Sequence, residues 1–269
     1  MQTFTDLERE GWGRNAAGYD QLVLRATRQA FAPILSQLGD VAGKTVVDLA
    51  CGTGHLAGML AERGARMSAV DFAPEMIALA KSHVRNVEFI EADCERLPFK
   101  PAQFDAATCC FGALHFERSD AVFAEVGRVL KPEGQFVFTV WRSPAEGGHF
   151  LGLILRVYEK FADLTVPLPS GPPLFELTDV TRTKARLMKL NFREPVVHDF
   201  DVQWIAADAQ GVIDIVEKGL VRTRMILDLQ DPDRRKLILS GLHKAIAPYI
   251  DAEGFTMTNG VRMFTAIRP

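Results

Sequence analysis

Long hydrophobic runs are missing from this chain of 269 residues. The longest apolar stretch, about residues 150–157, contains Gly152 and Arg156, and it is far shorter than the roughly 20 residues that span a bilayer. The first residues also lack the basic and apolar regions of a secretory signal. We therefore expect no membrane span and a cytoplasmic location.

An excess of positive charge is missing as well. The chain has 31 lysines and arginines against 34 acidic residues, which gives a net charge of −3. A nucleic-acid partner needs a broad positive field that can neutralise phosphates, and this composition does not provide one. We therefore expect no nucleic acid among the partners.

Cysteine is scarce, and its spacing does not suit a metal. The four cysteines are Cys51, Cys94, Cys109 and Cys110, with no C-x-x-C pair and no histidine at a zinc-binding spacing. This pattern predicts reduced, buried thiols and no metal site.

Short apolar runs alternate with helical patterns over residues 41–142. Strands are predicted at 45–49, 67–70, 87–90, 104–110 and 134–140, and helices at 56–63, 74–82 and 119–130. This alternation indicates βαβ crossovers and a mostly parallel sheet. Because the strands are apolar on both faces, helices should cover both sides of a doubly wound sheet.

The flanking regions are predicted to be mainly helical. Helices are expected at 20–38, with a kink at Pro33, and at 149–162, 178–190 and across 208–250; strands are expected at 195–204 and 262–267. A turn-rich stretch at 167–173 marks a hinge. The predicted divisions are an N-terminal helical segment (1–40), the sheet core (41–142), a helical cap (143–254) and a C-terminal core strand (255–269).

The most informative local pattern is a glycine turn that follows the first strand. Residues 48–54 include Asp48, Gly52 and Gly54, and glycines at such a turn permit positive φ and let backbone N–H groups approach a ligand. Residues 52–57 also satisfy the G-x-G-x-x-G/A pattern of dinucleotide binding, with Asp71 at the end of the next strand. The turn alone does not decide between a nicotinamide cofactor and another ligand.

The ordered set of motifs resembles the class I S-adenosylmethionine (SAM)-dependent methyltransferases, and within them the ubiquinone and menaquinone biosynthesis methylases (methyltransferase type 11). The resemblance covers residues 8–142 and the last strand, and it is carried by residues 48–54, 71–76, 93–99, 104–116 and 129–135. It implies a Rossmann-like, seven-stranded sheet with a helical cap. It also implies SAM as cofactor, S-adenosylhomocysteine as product and no metal.

The same resemblance assigns roles to individual residues. It implies that Asp48 lies near the methionine amino group and that Asp71 binds both ribose hydroxyls. The other implied cofactor-binding residues are Ala50, Gly52 and Gly54 in the glycine turn, Phe72 and Met76 beside adenine, Asp93 and Cys94 near its amino group, Cys110 in the pocket, and Tyr19 in a segment that closes over the cofactor.

Two histidines are candidates for catalysis. His115 follows the fourth strand and could act as a general base for a hydroxyl or an enol, while His149 follows the fifth strand and could face the substrate. A structural role is an equally good interpretation of His115. Methyl transfer to an acceptor that is already nucleophilic can proceed by proximity and alignment alone.

The functional hypothesis is a SAM-dependent methyltransferase acting on a small, mostly apolar acceptor, by O- or C-methylation of a phenol-like or quinol-like molecule. One alternative is an NAD(P)-dependent oxidoreductase, which is disfavoured because Asp48 would repel a pyrophosphate and no Tyr-x-x-x-Lys pair is present. Another is a catalytically silent SAM-binding protein, since binding motifs and chemistry are separable. An exposed apolar face on the cap would allow a homodimer.

Overall fold

The structure is a computed structural model that describes residues 2–269. Within them, eight strands form one sheet. They are β1 (Thr45–Leu49), β2 (Arg66–Asp71), β3 (Val87–Glu91), β4 (Phe104–Cys110), β5 (Leu130–Trp141), β6 (Val196–Ala206), β7 (Ile250–Asp251) and β8 (Gly254–Ile267).

The strand order confirms the doubly wound, mostly parallel sheet. The order is β3-β2-β1-β4-β5-β8-β6, and the two-residue β7 adds an eighth strand by pairing with β8. Strands β1 to β5 are parallel, and β8 runs antiparallel to β5. The order reverses between β1 and β4, and ligands of such sheets bind outside the carboxyl ends of strands at this reversal.

Helices connect the strands and form most of the remaining chain. In chain order they are α1 (Phe4–Gly18), α2 (Leu24–Thr27), α3 (Phe31–Leu38), α4 (His55–Glu62), α5 (Pro74–His83), α6 (Ser119–Val129), α7 (His149–Phe161), α8 (Val180–Lys189), α9 (Ala209–Asp214), α10 (Val221–Asp228) and α11 (Pro232–Ile246). None of them, over residues 2–269, is long and apolar enough to cross a membrane.

The N-terminal helix differs from the prediction of one helix over 20–38. Helix α1 begins earlier, at Phe4, because Thr3 and Asp6 form a reciprocal capping box. The break before α3 is a 3₁₀ turn at Arg28–Ala30. Pro33 does not kink the chain, since it lies in the first turn of α3, where no backbone N–H is needed.

Two strands begin earlier than predicted. Strand β8 starts at Gly254 rather than at residue 262, and β5 starts at Leu130 rather than at residue 134. The early residues of β5 include Pro132 and Gly134, which disfavour a strand locally, so tertiary pairing overrides their intrinsic preference.

The chain forms two compact units. The helical unit contains residues up to 27, 142–170 and 201–260, and the sheet unit contains residues 28–141, 171–200 and 261–269. The boundary therefore falls within β6 and within β8. Residues 171–200, which the sequence-based division places in the cap, cluster with the sheet unit.

Aromatic rings fill the centre of the sheet unit. Phe123 on α6, Phe136 and Phe138 on β5, and Phe264 on β8 are all 0% exposed. Phe138 lies with its ring centroid 5.2 Å from that of Phe123 and 5.0 Å from that of Phe264. This packing gives the strand ends a rigid support, because a close-packed core transmits rather than absorbs displacement.

The helical unit has its own core. Phe150 on α7 stacks on Trp204 with a centroid separation of 4.3 Å, and both rings are buried. A fully buried Glu8 on α1 accepts hydrogen bonds from Arg222 on α10 and from Trp12. Since a buried carboxylate requires such partners, this pairing fixes α1 against α10.

Candidate functional site

The glycine turn brings the backbone into an unusual conformation between β1 and α4. Ala50, Gly52 and Gly54 have φ angles of 49°, 53° and 79°. A Cβ atom on Gly54 would lie 2.7 Å from the ring of Phe89 and 3.0 Å from the Cβ of Ala80. Both its backbone angle and its surroundings therefore require glycine at position 54.

Asp71 holds this turn through its side chain. Its two carboxylate oxygens accept hydrogen bonds from the backbone N–H groups of Gly52 (2.9 Å) and Ala73 (3.0 Å). The residue is 5% exposed, and burial raises the pKa of its carboxyl to about 6. A carboxylate has about four acceptor positions, so two backbone donors leave capacity for a diol.

Asp48 is the second buried acid of the site. Its Oδ1 accepts a hydrogen bond of 2.7 Å from the Thr108 hydroxyl, and the residue is 2% exposed. Burial raises the pKa of this carboxyl to about 7, and the nearby charge of Asp71 adds to the rise. A cationic ligand group beside Asp48 would favour its ionised form.

Thr53, which is not among the predicted site residues, carries a buried hydroxyl without a hydrogen-bond partner among residues 2–269. The residue is 1% exposed, and its Oγ1 has no hydrogen-bond partner among residues 2–269. Leaving a buried hydroxyl unpaired costs about 1–3 kcal/mol, so such an atom is expected to meet a polar ligand atom. Only its position between two glycines could have indicated it.

The end of β4 packs against the same turn. Phe111 has a φ of 60°, and its backbone N–H donates to the Thr139 hydroxyl at 3.0 Å. Its ring stacks on Trp141 with a centroid separation of 3.9 Å. A Cβ atom on Gly112 would lie 2.5 Å from the Cβ of Ala50, so the ends of β1 and β4 touch at this point.

Four further candidates follow β2 and β3. Phe72 is half-buried, whereas Met76 and Cys94 are 2% and 5% exposed. Asp93 is exposed, and its Oδ1 accepts a hydrogen bond of 2.8 Å from the backbone of Glu95. One oxygen of Asp93 therefore stabilises its own turn, and the other is the atom that could accept from a ligand.

Two thiols are inactive in this environment. Burial raises the pKa of the Cys94 and Cys110 thiols well above their usual range, so both stay protonated. Cys110 accepts a weak hydrogen bond from the Thr139 hydroxyl at 3.8 Å. These side chains can line a cavity but are not nucleophiles.

The remaining candidates are divided between the units. His115 belongs to the sheet unit; it ends a 3₁₀ turn after β4 and is half-buried. His149, the exposed first residue of α7, and Tyr19 belong to the helical unit. The hydroxyl of Tyr19 lies 3.1 Å from that of Thr27. Their contributions to the site stay predictions.

One known family model matches part of the sheet unit. Residues 46–134 match the family model described as "Methyltransferase domain". Residues 46–134 therefore form a methyltransferase domain, which confirms the resemblance to SAM-dependent methyltransferases inferred from the motifs.

Two curated relatives are named as methyltransferases of demethylmenaquinone or of ubiquinone and menaquinone biosynthesis. The demethylmenaquinone methyltransferase of Thermus thermophilus is 44% identical over 123 residues, which are 44% of this chain and 55% of the relative. A ubiquinone/menaquinone biosynthesis C-methyltransferase of Rubrivivax gelatinosus is 38% identical over 106 residues, 39% of this chain and 42% of the relative. The chain thus spans about half the length of the curated relatives it matches.

A solved structure shows the same fold. Phosphoethanolamine N-methyltransferase 2 of Haemonchus contortus, in complex with phosphomonomethylethanolamine and S-adenosylhomocysteine, is 19% identical with a TM-score of 0.54. The match covers 90% of this chain and 52% of that protein. At this identity the likeness concerns the fold alone.

Proposed function

We propose that this protein transfers the methyl group of SAM to a small, mostly apolar acceptor, by O- or C-methylation of a phenol-like or quinol-like ring. The observation that carries the proposal is the pair of buried carboxylates, Asp48 at the end of β1 and Asp71 at the end of β2, beside a left-handed glycine turn where the strand order reverses. That is the position at which α/β sheets of this kind bind ligands.

The polar groups at the turn are suited to SAM. Asp48 is a buried acid whose ionised form a cation would favour, and the methionine amino group would provide that cation. Asp71 keeps acceptor capacity for a ribose diol, and Thr53 has a hydroxyl without a partner among residues 2–269. When bound, SAM supplies an electrophilic methyl group on a sulfonium and leaves as S-adenosylhomocysteine.

The proposed acceptor is a flat, mostly apolar ring. The buried, stacked pair of Phe111 and Trp141 places aromatic rings at the carboxyl ends of β4 and β5. The names of the curated relatives support a quinone-like acceptor. His115 is the proposed general base for an acceptor that must lose a proton, and His149 is the second candidate.

The two alternatives predict different binding. A nicotinamide cofactor would place a pyrophosphate on the glycine turn, close to two buried acids that repel it. A catalytically silent protein would bind SAM and release no S-adenosylhomocysteine. Neither alternative is favoured by a specific contact of the described residues.

The test is calorimetric titration of the full chain with SAM and, in parallel, with NADH. We expect SAM alone to bind, and Asp71→Ala to weaken its binding at least tenfold. Asp40→Ala, an exposed aspartate that precedes β1, is the matched control and should bind normally. Binding of NADH instead, or equal SAM affinity in both variants, would overturn the proposal.

Thr53→Val gives a more specific test than Asp71→Ala, because it removes the Thr53 hydroxyl and keeps the shape of the side chain. If the hydroxyl meets the cofactor, SAM affinity falls about fivefold or more, while the cofactor-free protein becomes as stable or more stable, by about 1 kcal/mol. Release of S-adenosylhomocysteine with a naphthoquinol acceptor, measured by mass spectrometry, then separates an enzyme from a silent binding protein.

A further inference from the structure

Two histidines meet at the ends of two helices of the sheet unit. His55 is the first residue of α4 and directly follows Gly54, and His83 is the last residue of α5. Their ring centroids are 5.3 Å apart with an angle of 34° between the planes. Their ligand nitrogens lie within 4.8 Å of each other. His55 is half-buried and His83 is exposed, so an ion can reach the pair from solvent.

The separation of the rings matches that of two imidazoles on one tetrahedral ion. A zinc–nitrogen bond is about 2.0–2.1 Å, which places a ring centroid roughly 3.2 Å from the metal. At a tetrahedral angle, two such centroids are then about 5.2 Å apart. The observed separation of 5.3 Å needs little adjustment of the backbone to reach this geometry.

We propose that His55 and His83 bind one divalent transition-metal ion of the zinc class, with water among its other ligands. Imidazole is a ligand that suits zinc, copper and nickel. Two imidazoles held by two helix ends are partly preorganised, which lowers the entropic cost of assembling the site. The proposal is independent of the methyl acceptor and of the cofactor.

Occupancy of this site would affect the glycine turn. Because His55 directly follows Gly54, an ion bound to both histidines would tie the first turn of α4 to the end of α5. The ion binds the folded chain with its two ligands preassembled, so it also stabilises the folded state by mass action. Metal binding is therefore visible as a rise in melting temperature as well as in a binding isotherm.

The test uses the metal-free full chain and zinc as the probe. Calorimetric titration of the wild type should show one zinc ion per chain, and His83→Ala should weaken its binding at least tenfold. His243→Ala is the matched control, since His243 is an exposed histidine on α11. Zinc should raise the melting temperature of the wild type and of the control, but not that of His83→Ala.

Cobalt distinguishes this site from the cysteines. Cobalt bound by imidazole and water should give visible absorption bands of tetrahedral type without a thiolate charge-transfer band. Unchanged affinity in His83→Ala, a thiolate band, or the absence of saturable zinc binding would each overturn the proposal. Circular dichroism of His83→Ala verifies that the variant is folded, as expected for an exposed residue.

Discussion

Replacing Gly112 by alanine should disturb the candidate cofactor site by steric overlap alone. Gly112 has φ −76° and ψ −30°, which any residue adopts, so the backbone does not require glycine here. The added Cβ would lie 2.5 Å from the Cβ of Ala50 and 3.0 Å from the sulfur of Cys109. Carbon atoms pack at about 3.5–4.0 Å, so the ends of β1 and β4 must separate by about 1 Å.

The expected magnitudes follow from this overlap. Overpacking a close-packed region costs about 1–3 kcal/mol of the free energy of unfolding. Ala50 lies between Asp48 and Gly52, and its φ of 49° is already unfavourable for a residue with a side chain. Its displacement should therefore move the turn and lower SAM affinity at least tenfold.

Urea unfolding and calorimetric SAM titration measure the two effects separately. Gly127→Ala is the matched control, because Gly127 lies inside α6 and its added Cβ would be 3.6 Å from the nearest atom, on Phe192. That variant should gain about 0.5–1 kcal/mol of stability and bind SAM normally.

A second substitution tests the stated cause. Adding Ala50→Gly to Gly112→Ala removes the clashing methyl group and places glycine at a left-handed position, which it adopts readily. Most of the lost SAM affinity should return. Normal SAM binding by Gly112→Ala, or no recovery in the double variant, would refute the reasoning.

Two further predictions concern stability. Burial raises the pKa of Asp48 to about 7 and that of Asp71 to about 6, above the ordinary value of 3.8. The folded state thus binds more protons than the unfolded state between about pH 4 and 7, so the free energy of unfolding of the cofactor-free protein should fall as pH rises. Urea titrations at several pH values measure this slope, which Asp48→Asn should reduce; an unchanged slope would contradict the assignment. Asp199→Ala should cost about 2–3 kcal/mol in urea unfolding. It removes the two hydrogen bonds of 2.8 and 2.7 Å that the Arg262 guanidinium makes to Asp199, and the Arg262 side chain is only 8% exposed. Glu133→Ala, which breaks only an exposed ion pair with Arg193, should cost about 0.5 kcal/mol or less, and equal losses in the two variants would contradict the argument.

The sheet and its glycine turn could be predicted because their signals are local. Buried parallel strands are apolar on both faces. A strand that runs into Gly52 and Gly54 is typical of a turn that approaches a ligand. The early start of β8 was not predictable in this way. Residues 254–261 contain Thr256, Thr258 and Asn259, which interrupt the apolar pattern, and pairing with a neighbouring strand compensates for them.

The sequence selects the two acids of the candidate site, but it does not reveal their contacts. The positions of Asp48 and Asp71 at the carboxyl ends of their strands indicate a ligand, but the two backbone N–H groups that donate to Asp71 are visible only in the folded chain. The unpaired hydroxyl of Thr53 depends on what surrounds it. The contact between His55 and His83 joins two helices and has no sequence spacing that marks it.

The place of β8 in the sheet affects how the chain can be synthesised. Residues 261–267 pair with residues 135–141 of β5, and β8 lies between β5 and β6 in the strand order. A ribosome makes both neighbours long before it makes β8, so during translation the edge of β5 has no partner and β6 has no place to pair. Such an open edge favours pairing with other chains, and its late closure makes folding slow. This nascent chain is therefore expected to depend on chaperones that shield the β5 edge until β8 emerges.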